Sequence, residues 1–311
     1  ITDKYQAFNE YYPENILTIN FENWEKSLEN IVEWSSRYDL KAVIGVDEES
    51  IILAAKLSEY LCIDHNPLES VKLTKNKYLM RSELKKYGLK VPIFKRFSVH
   101  AKQKEIFSEL SFPCVIKPTF LSASQGVLRI NSFEEFKKGF KMLTDLLSKQ
   151  EVKKKGGDQA NWILVEEYIA GKEVSIEGIV NDGKLKDLAI FDKPETLEGP
   201  TFPETILIAP SILDEDLQLS LLETAKLALQ ALEIRKGPVH IELRINNHGN
   251  YILECAARSI GGLCSRVLEF SGNMSLEELI LRSALGRNVD EAILIDKAMG
   301  VMMMPTEKKG I

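Results

Sequence analysis

The sequence lacks the features that mark three large classes of protein. Lys and Arg number 40 against 46 Asp and Glu in 311 residues, so the net charge is −6 and no basic excess serves a duplex nucleic acid. No uncharged apolar run reaches the ~18 residues of a membrane-spanning helix. The four cysteines form no CxxC pair, and the four histidines add no zinc-like cluster. We therefore expect a cytoplasmic protein with no nucleic acid or membrane partner and with reduced, mostly buried cysteines.

Two frequent nucleotide-binding motifs are also missing. Neither GxGxxG nor the Walker pattern GxxxxGKS/T occurs, so a nucleotide would need phosphate ligands of another kind. The first residues, ITDKYQAFNEYY, are polar and aromatic, which is not typical of a signal peptide. The chain begins with Ile and ends on GVMMMPTEKKGI, a pattern typical of the start of another element. We expect that residues are missing at both ends.

Strand and helix patterns alternate in the first 74 residues. Apolar runs at 16–21 and 41–46 predict strands, and apolar spacing predicts helices over 23–37 and 51–61. Strands that alternate with helices at this spacing predict a parallel α/β unit, which we assign to residues 1–74.

After residue 74 the patterns change to hairpins and helices. A helix predicted over 74–87 begins a connecting segment, residues 75–105. Residues 106–170 are predicted to form a small lid subdomain. Within it, Ser132 and Glu135 form a capping box at the start of a helix. The charged stretch 149–159 is interpreted as a solvated polar loop.

A larger subdomain is predicted over residues 171–290. The turns NDG and NNHGN each join two strand-like runs, which is a hairpin signal. A Pro-rich stretch at 193–210 is predicted to be irregular, as functional loops of that length often are. Residues 291–311 are predicted to begin a further element.

Lys117 ends an apolar strand just before the loop SASQGV at 122–127. A Lys offers a compact charge, and small side chains let backbone N–H groups approach an anion. The pair therefore favours a phosphate site, and a solvent-exposed Lys beside an ordinary turn is the alternative.

The segment LVEEYIAGKE at 164–173 ends a second apolar strand with adjacent carboxylates. Such a strand end can offer backbone C=O and N–H groups to an adenine edge. A carboxylate on the next strand, Glu173, can bind both ribose hydroxyls. Two strands with exposed acids are the alternative.

Glu242 and Glu254 lie on two strands joined by the NNHGN turn. Cross-strand partners face the same side, and apolar flanks predict that both carboxylates are partly buried. Because buried like charges are costly without cations, this pattern favours Mg²⁺ held with substrate phosphates. Arg258 follows before a flexible SIGG and can bind a carboxylate or a phosphoryl group in its fork. Unrelated exposed acids and an Arg paired with a Glu remain alternatives.

Taken together and in order, these residues resemble the ATP-grasp superfamily over about residues 45 to 290. The runs TKNKYLMR, GPTFPET and HIELR, followed by YILECAARSIGG, resemble its carboxylate–amine ligase branch, which includes bacterial L-amino-acid ligases. The resemblance implies an α/β and α+β protein with the ATP-grasp fold. Its parts would be an N-terminal parallel α/β (pre-ATP-grasp) domain, a small lid domain and a larger antiparallel-sheet domain.

The resemblance also implies residue roles. Lys77 and Lys117 would bind the phosphates of ATP, and Lys117 and Arg258 would be catalytic. The remaining nucleotide contacts would come from the lid loop, the strand end and the ribose carboxylate: Ser122, Ser124, Gly126, Val127, Glu166, Glu167, Tyr168, Ile169 and Glu173. In that set, Glu167 and Ile169 would contact adenine through the backbone, with Glu166 beside its amino group. Glu242 and Glu254 would bind two Mg²⁺ ions, which Mn²⁺ could replace.

One position departs from the family pattern. Many members carry Asn two residues after the second metal-binding Glu, whereas this chain has Ala256. Metal binding is expected to survive with one ligand fewer. Weaker substrate-side candidates are Glu204, His240, Gly261 and Gly262, together with Arg258.

The implied activity is an ATP- and Mg-dependent ligase that joins a carboxylate to an amine through an acyl phosphate, on amino-acid-like substrates. Its partners would be small molecules, and a homodimer is compatible with the family. The alternatives are a carboxylase or purine-pathway ligase on the same scaffold, and a nucleotide-binding module without turnover.

Overall fold

The computed structural model describes residues 1–2, 10–21, 24–195, 198–203 and 205–304. Its N-terminal part contains helices α1 (Trp24–Ser35) and α2 (Ile51–Tyr60). The prediction of strands at 16–21 and 41–46 is wrong. The described residues of these two runs form no strand, and their one bridge is an isolated parallel bridge from Thr18 to Thr2. Apolar residues of both runs pack against α1 and α2 instead. A strand needs a hydrogen-bonded neighbour, and an apolar pattern alone does not supply one.

The predicted helix over 74–87 is two helices, α3 (Leu68–Lys75) and α4 (Lys77–Lys86). Asn76 interrupts them with an extended backbone, and its side chain accepts hydrogen bonds from the N–H groups of Tyr78 and Leu79 at 3.0 and 3.2 Å. This is N-cap chemistry, which satisfies two N–H groups that lack a helical partner. The break makes Lys77 the first residue of α4 and aims it at the residues described below.

A small antiparallel sheet follows. Its elements are β1 (Phe94–Ser98), α5 (Gln103–Phe107), β2 (Cys114–Pro118), β3 (Leu128–Ile130), α6 (Phe133–Ser148), α7 (Gln150–Gly156) and β4 (Trp162–Glu167). The strand order is β1-β4-β2-β3. The apolar face of α6 covers this sheet, with Phe136 and Leu143 fully buried. Ser132 caps α6 as predicted, because its Oγ accepts from the Glu135 N–H at 3.2 Å.

The prediction of a polar loop at 149–159 is wrong. Most of it is helix α7, followed by a short 3-10 turn over Gly157–Asn161. Val152 joins the core of the small sheet, which gives the segment an apolar anchor that its charges obscure. Lys155 therefore has a fixed place, and its ammonium pairs with Glu49.

The large sheet is built from β5 (Lys172–Asn181), β6 (Lys184–Lys193), β7 (Ile206–Ala209), β8 (Gly237–Asn246), β9 (Gly249–Ala256) and β12 (Met299–Met302). Its order is β12-β7-β6-β5-β8-β9, and every pair is antiparallel. Both predicted hairpins are present. The two-residue turn between β5 and β6 places Asp182 and Gly183 at φ 48° and 75°, as its Asp-Gly sequence predicts.

Helices cover the large sheet. These are α8 (Glu215–Ala231) and α9 (Leu276–Ala284), and between them lies a two-stranded ribbon, β10 (Glu269–Phe270) with β11 (Met274–Ser275). The helices α4 and α8 pack on a core that includes Ile176 and Ile241, and α9 packs on a second core around Phe191. None of the described helices is long and apolar enough to cross a bilayer.

The two sheets are joined by the segment 198–203. Part of the stretch predicted as irregular at 193–210 is strand β7, and residues before it reach the small sheet. The Arg129 N–H donates to the Pro200 carbonyl at 2.9 Å, and Leu128 forms a bridge with Thr201. The cysteines are free thiols, and Cys114, Cys255 and Cys264 are buried, as predicted.

Candidate active site

A cavity of about 580 Å³ lies between the two sheets and the turn at 46–49. That volume is typical of a pocket for a small-molecule ligand. Of the predicted site residues that the structure describes, all line it except Gly126. Glu204 lies outside the described residues. The cavity is also lined by residues that sequence reasoning missed: Asp47, Glu48, Glu49, Lys155, Phe202, Arg244 and Met303.

Lys117 and Glu166 form a buried ion pair at one side of this cavity. They lie on the neighbouring strands β2 and β4. Arg81 of α4 is fully buried, and its Nε lies 2.8 Å from Glu166 Oε2, at an angle that makes an ion pair rather than a hydrogen bond. Burial lowers the pKa of Lys117 to about 8, although the negative charge of Glu166 opposes that shift. Glu166, predicted beside adenine, is thus the counter-ion of two cations.

Arg81 is held in place by carbonyl groups as well. Its guanidinium donates to the Leu253 carbonyl at 2.9 Å and to the Lys77 carbonyl at 3.3 Å. It therefore links α4 to strands of both sheets. Arg81 follows Lys77 by four residues and therefore lies on the same face of the helix. This spacing is the sequence signal that could have identified Arg81 as part of the site.

Lys77 reaches two predicted parts of the site. Its Nζ lies 3.1 Å from Glu254 Oε2 and donates to the Leu121 carbonyl at 2.9 Å. Its own N–H donates to the Thr119 carbonyl at 2.8 Å. The ammonium thus sits between a predicted metal ligand and the loop at 122–127.

Glu242 and Glu254 are direct cross-strand partners on β8 and β9, and a bulge between Glu242 and Leu243 sets this register. The two side chains therefore face the same side, as predicted. Glu242 Oε1 lies 2.9 Å from Lys193 Nζ, and Glu254 pairs with Lys77. Burial alone would raise the pKa of Glu254, but the charges of Lys77 and Arg258 outweigh it and hold that pKa below its usual value. Glu254 is therefore kept ionised beside Lys77.

Lys193 was missed by sequence reasoning. It is buried at the end of β6, and its Nζ also lies 2.9 Å from Glu173 Oε1. One ammonium thus connects the predicted ribose carboxylate with a predicted metal carboxylate.

The predicted ribose and adenine end is organised by Arg244 of β8. Its Nε donates to Glu173 Oε2 at 2.8 Å and its Nη1 to the Ile169 carbonyl at 2.7 Å. The guanidinium lies over the rings of Tyr168 and Phe202, at 5.1 and 5.6 Å from their centroids. Burial opposes the charge of Arg244, but Glu173 outweighs burial and raises the pKa of this residue.

The small-residue loop lines the opposite wall. Ala123 and Ser124 have φ values of 52° and 54°, and the Val127 N–H donates to the Ser124 carbonyl at 3.2 Å. Gly126, at φ 74°, is not part of the cavity wall. A Cβ there would lie 2.9 Å from Leu143 Cδ2, so this glycine lets α6 approach the loop.

Arg258 lies at the other end of the cavity. Its Nε donates to Glu48 Oε1 at 2.7 Å, and its Nη2 lies 3.9 Å from Glu254 Oε1. Burial opposes the charge of Arg258, but Glu48 and Glu254 together outweigh burial and raise the pKa of the guanidinium. Asp47 fixes the turn that presents Glu48, since its Oδ1 accepts from the Ser50 N–H at 2.7 Å.

The loop 259–262 forms the wall next to Arg258. Met303 packs against it, because a Cβ on Gly262 would lie 2.5 Å from Met303 Cε. His240 lies between this loop and the carboxylate pair. Burial by itself would lower its pKa, but Glu177 and Glu242 outweigh burial and raise the pKa of His240 to about 10.

A family model described as an ATP-grasp domain matches residues 110–267, which is half of the chain. The chain belongs to the ATP-grasp family. The matched residues contain Lys117, Glu166, Glu173, Glu242, Glu254 and Arg258.

Named relatives agree with this assignment. Alanine–anticapsin ligase of Bacillus subtilis strain 168 is 30% identical over 250 residues, which cover 76% of this chain and 52% of the relative. An L-arginine-specific L-amino acid ligase of Bacillus subtilis is 25% identical over 272 residues, covering 85% and 62%. The chain thus spans about half the length of the first of these curated relatives.

A solved structure has the same fold. The crystal structure of an L-amino acid ligase from Bacillus licheniformis matches with a TM-score of 0.78 and 26% identity, over 92% of this chain and 69% of that chain. The ATP-grasp fold that the sequence resemblance implied is therefore confirmed.

The carboxylate pair of this ATP-grasp chain suits Mg²⁺ that arrives with phosphates. In the described residues, no group of three or more His, Cys, Asp and Glu side chains forms a metal cage. Mg²⁺ usually takes one or two carboxylates and fills its other positions with substrate phosphates and water. The carboxylates of Glu242 and Glu254, which are cross-strand partners on one face of a hairpin, meet that requirement.

Proposed function

We propose that this chain carries the ATP site of an ATP- and Mg-dependent ligase, ADP-forming, that joins a carboxylate to an amine. The substrates would be amino-acid-like, and the product an amide or a peptide. The observation that carries the proposal is the meeting of Lys77, Lys117 and Arg258 with the Glu242–Glu254 pair in one cavity. The similarity to two amino-acid ligases supports the substrate class.

In this proposal ATP lies along the cavity from Arg244 to Arg258. Adenine would form hydrogen bonds with those backbone groups of Glu167 and Ile169 that are not used in the contacts named next. The Glu167 N–H donates to the Ile93 carbonyl and the Ile169 carbonyl accepts from Arg244, so the Glu167 C=O and the Ile169 N–H are the proposed groups. Tyr168 and Phe202 would flank the base, and Glu173 would bind the ribose hydroxyls.

The phosphates would lie between the lysines and the loop. Lys77 and Lys117 would neutralise their oxygens, and Ser122, Ser124 and Val127 would supply N–H or hydroxyl groups. Glu242 and Glu254 would hold the metal, as two Mg²⁺ ions or their Mn²⁺ equivalents. A metal held there would reduce the negative charge of the phosphates that opposes attack.

The reaction would proceed in two displacements. A carboxylate oxygen of the first substrate attacks the γ-phosphorus, the bond from that phosphorus to the β,γ-bridging oxygen breaks, and ADP leaves. The amine nitrogen of the second substrate then attacks the acyl carbon and loses a proton. The C–O bond breaks and phosphate leaves. Arg258 would stabilise the acyl phosphate with its fixed guanidinium.

Water must be kept from the acyl phosphate, since its hydrolysis would waste ATP. We propose that the lid, about residues 106–170, closes over the bound nucleotide. The contact of Arg129 with the Pro200 carbonyl links this lid to the large sheet.

The test is phosphate release from Mg-ATP by the full-length protein with amino acids, singly and in pairs. Release that requires two amino acids, with a dipeptide mass in the product, is the expected result. Release with bicarbonate or a ribotide instead would assign a carboxylase or purine-pathway ligase. Tight ATP binding without release under any condition would contradict the ligase and leave a nucleotide-binding module.

A further inference from the structure

Glu177 is a buried carboxylate outside the set of residues that line the cavity. It lies on β5 and is 1% exposed. Each of its oxygens contacts a different element. Oε1 contacts His240 Nδ1 on β8, and Oε2 accepts a hydrogen bond from the Ile260 N–H at 3.0 Å. One side chain therefore joins two strands of the large sheet to the loop 259–262.

Both partners of Glu177 lie on the cavity wall. His240 Nε2 lies 3.4 Å from Glu242 Oε1, so the orientation of the imidazole depends on the groups at both of its nitrogens. Ile260 precedes Gly261 and Gly262, which have no side chain to restrict their backbone. A loop with two glycines depends on outside contacts to keep one conformation, and Glu177 supplies a hydrogen bond to it in addition to the packing of Met303.

A carboxylate suits this task because it accepts two hydrogen bonds at fixed separation. Without this acceptor, the Ile260 N–H would lose the hydrogen bond that ties the loop to β5, so the loop would open more often. The nucleotide end of the cavity is built from other side chains, among them Lys117, Glu173 and Arg244.

We propose that Glu177 is a positioning residue for the carboxylate substrate. It holds the loop 259–262 beside Arg258 and, through its second oxygen, holds His240 beside Glu242. This role rests on the proposed ligase function. It predicts that loss of Glu177 weakens the use of the carboxylate substrate and leaves the use of ATP nearly unchanged.

The first measurement needs no turnover. Hydrogen–deuterium exchange of the Ile260 amide is followed in the ligand-free full-length protein. We expect at least tenfold faster exchange in Glu177→Ala and exchange close to wild type in Glu177→Gln, because the amide oxygen of Gln still accepts from Ile260. The matched control is Ser283→Ala on α9, which removes a part-buried 2.7 Å hydrogen bond to Asn181, the last residue of β5. It should leave Ile260 exchange unchanged.

The second measurement is the KM of each substrate. In Glu177→Ala, we expect the KM of the carboxylate substrate to rise about tenfold or more, with the KM of ATP within twofold of wild type. Glu177→Gln should restore most of the loss. If Glu177→Ala does not fold, Glu177→Asp replaces it, since a side chain shorter by one methylene cannot reach both partners.

Two results would overturn the proposal. One is an unchanged Ile260 exchange rate in both Glu177→Ala and Glu177→Asp. The other is an equal rise in KM for ATP and for the carboxylate substrate. A wild-type protein without ligase turnover would contradict the proposed function instead, and the exchange rates would still show whether Glu177 anchors the loop.

Discussion

Glu242 and Glu254 face each other directly across the β8–β9 hairpin, and each carboxylate is paired with a different lysine. Lys193 reaches Glu242 from β6, and Lys77 reaches Glu254 from the start of α4. Without these ammonium groups, two partly buried carboxylates would repel each other. The two lysines thus offset the repulsion within the carboxylate pair.

Replacing Glu254 by Gln removes one negative charge and keeps the shape of the side chain. We expect ATP turnover to fall at least about 100-fold, or ~3 kcal/mol, because metal and phosphate would lose a ligand that acts in the transition state. Phosphate release with saturating substrates measures this. Glu59→Gln, on the surface of α2, should keep wild-type turnover. Equal turnover in Glu254→Gln and wild type would contradict the metal site.

The pKa of Lys117 predicts an alkaline limb in ATP use. In the free protein this pKa is about 8, below its ordinary 10.5, because the ammonium is buried. As pH rises through that value the ammonium loses its charge, so kcat/KM for ATP should fall about tenfold per unit above pH 8. Lys117→Arg should lack this limb because its guanidinium stays charged. A limb of the same position in Lys117→Arg would assign the titration to another group.

The same shift has a consequence for stability. Between pH 8 and 10.5 the unfolded chain binds a proton at Lys117 that the folded chain has lost. The contribution of this residue to the free energy of unfolding should therefore rise with pH across that window. Denaturation with urea at several pH values, compared between wild type and Lys117→Met, measures the difference.

Removing Arg81 should destabilise the protein strongly. Arg81→Met leaves the buried Glu166 with Lys117 as its remaining cation, and breaking a buried ion pair typically costs about 3–5 kcal/mol. The free energy of unfolding from urea denaturation measures this. Arg81→Met combined with Glu166→Gln should be less stable still at neutral pH, because the buried Lys117 ammonium then loses its carboxylate partner.

The control for Arg81 is Lys141→Met, which breaks an exposed pair with Asp145. Exposed pairs contribute little, so its unfolding midpoint should equal that of wild type. An Arg81→Met protein as stable as this control would show that the buried pair does not support the fold.

Asn76→Ala should separate helix capping from catalysis. The loss of the two capping hydrogen bonds should cost about 1 kcal/mol of stability. Because Lys77 follows directly, the KM for ATP should rise as well. Asn76→Asp keeps the cap and should keep both properties, as thermal unfolding and ATP titration would show. A raised KM in Asn76→Asp with normal stability would contradict the link.

Several parts of the site could be predicted from the sequence because the signals are local. The NNHGN turn predicts that β8 and β9 form a hairpin. Counting from that turn pairs Glu242 with Leu253, however, and a bulge between Glu242 and Leu243 is what pairs Glu242 with Glu254. The capping residue Ser132 marks the start of α6 in the same way.

The position of Lys193 could not be predicted by counting residues from the nearest turn. Counting back from the NDG turn pairs Glu173 with Asp192, but a bulge at Glu177 and Gly178 shifts the pairing by one residue. Glu173 therefore faces Lys193, which points into the site. A bulge adds a residue without a strong composition signal, so the sequence pattern did not predict it.

The sequence by itself determined the hairpins, the helix caps and the order of charged residues, because each depends on neighbours a few positions away. Only the tertiary structure decided which charges pair. Glu48 and Arg258 are 210 positions apart, and Arg81 contacts Leu253 at a separation of 172. It also decided that the apolar runs at 16–21 and 41–46 pack as irregular segments, since a strand exists only where a second strand accepts its hydrogen bonds.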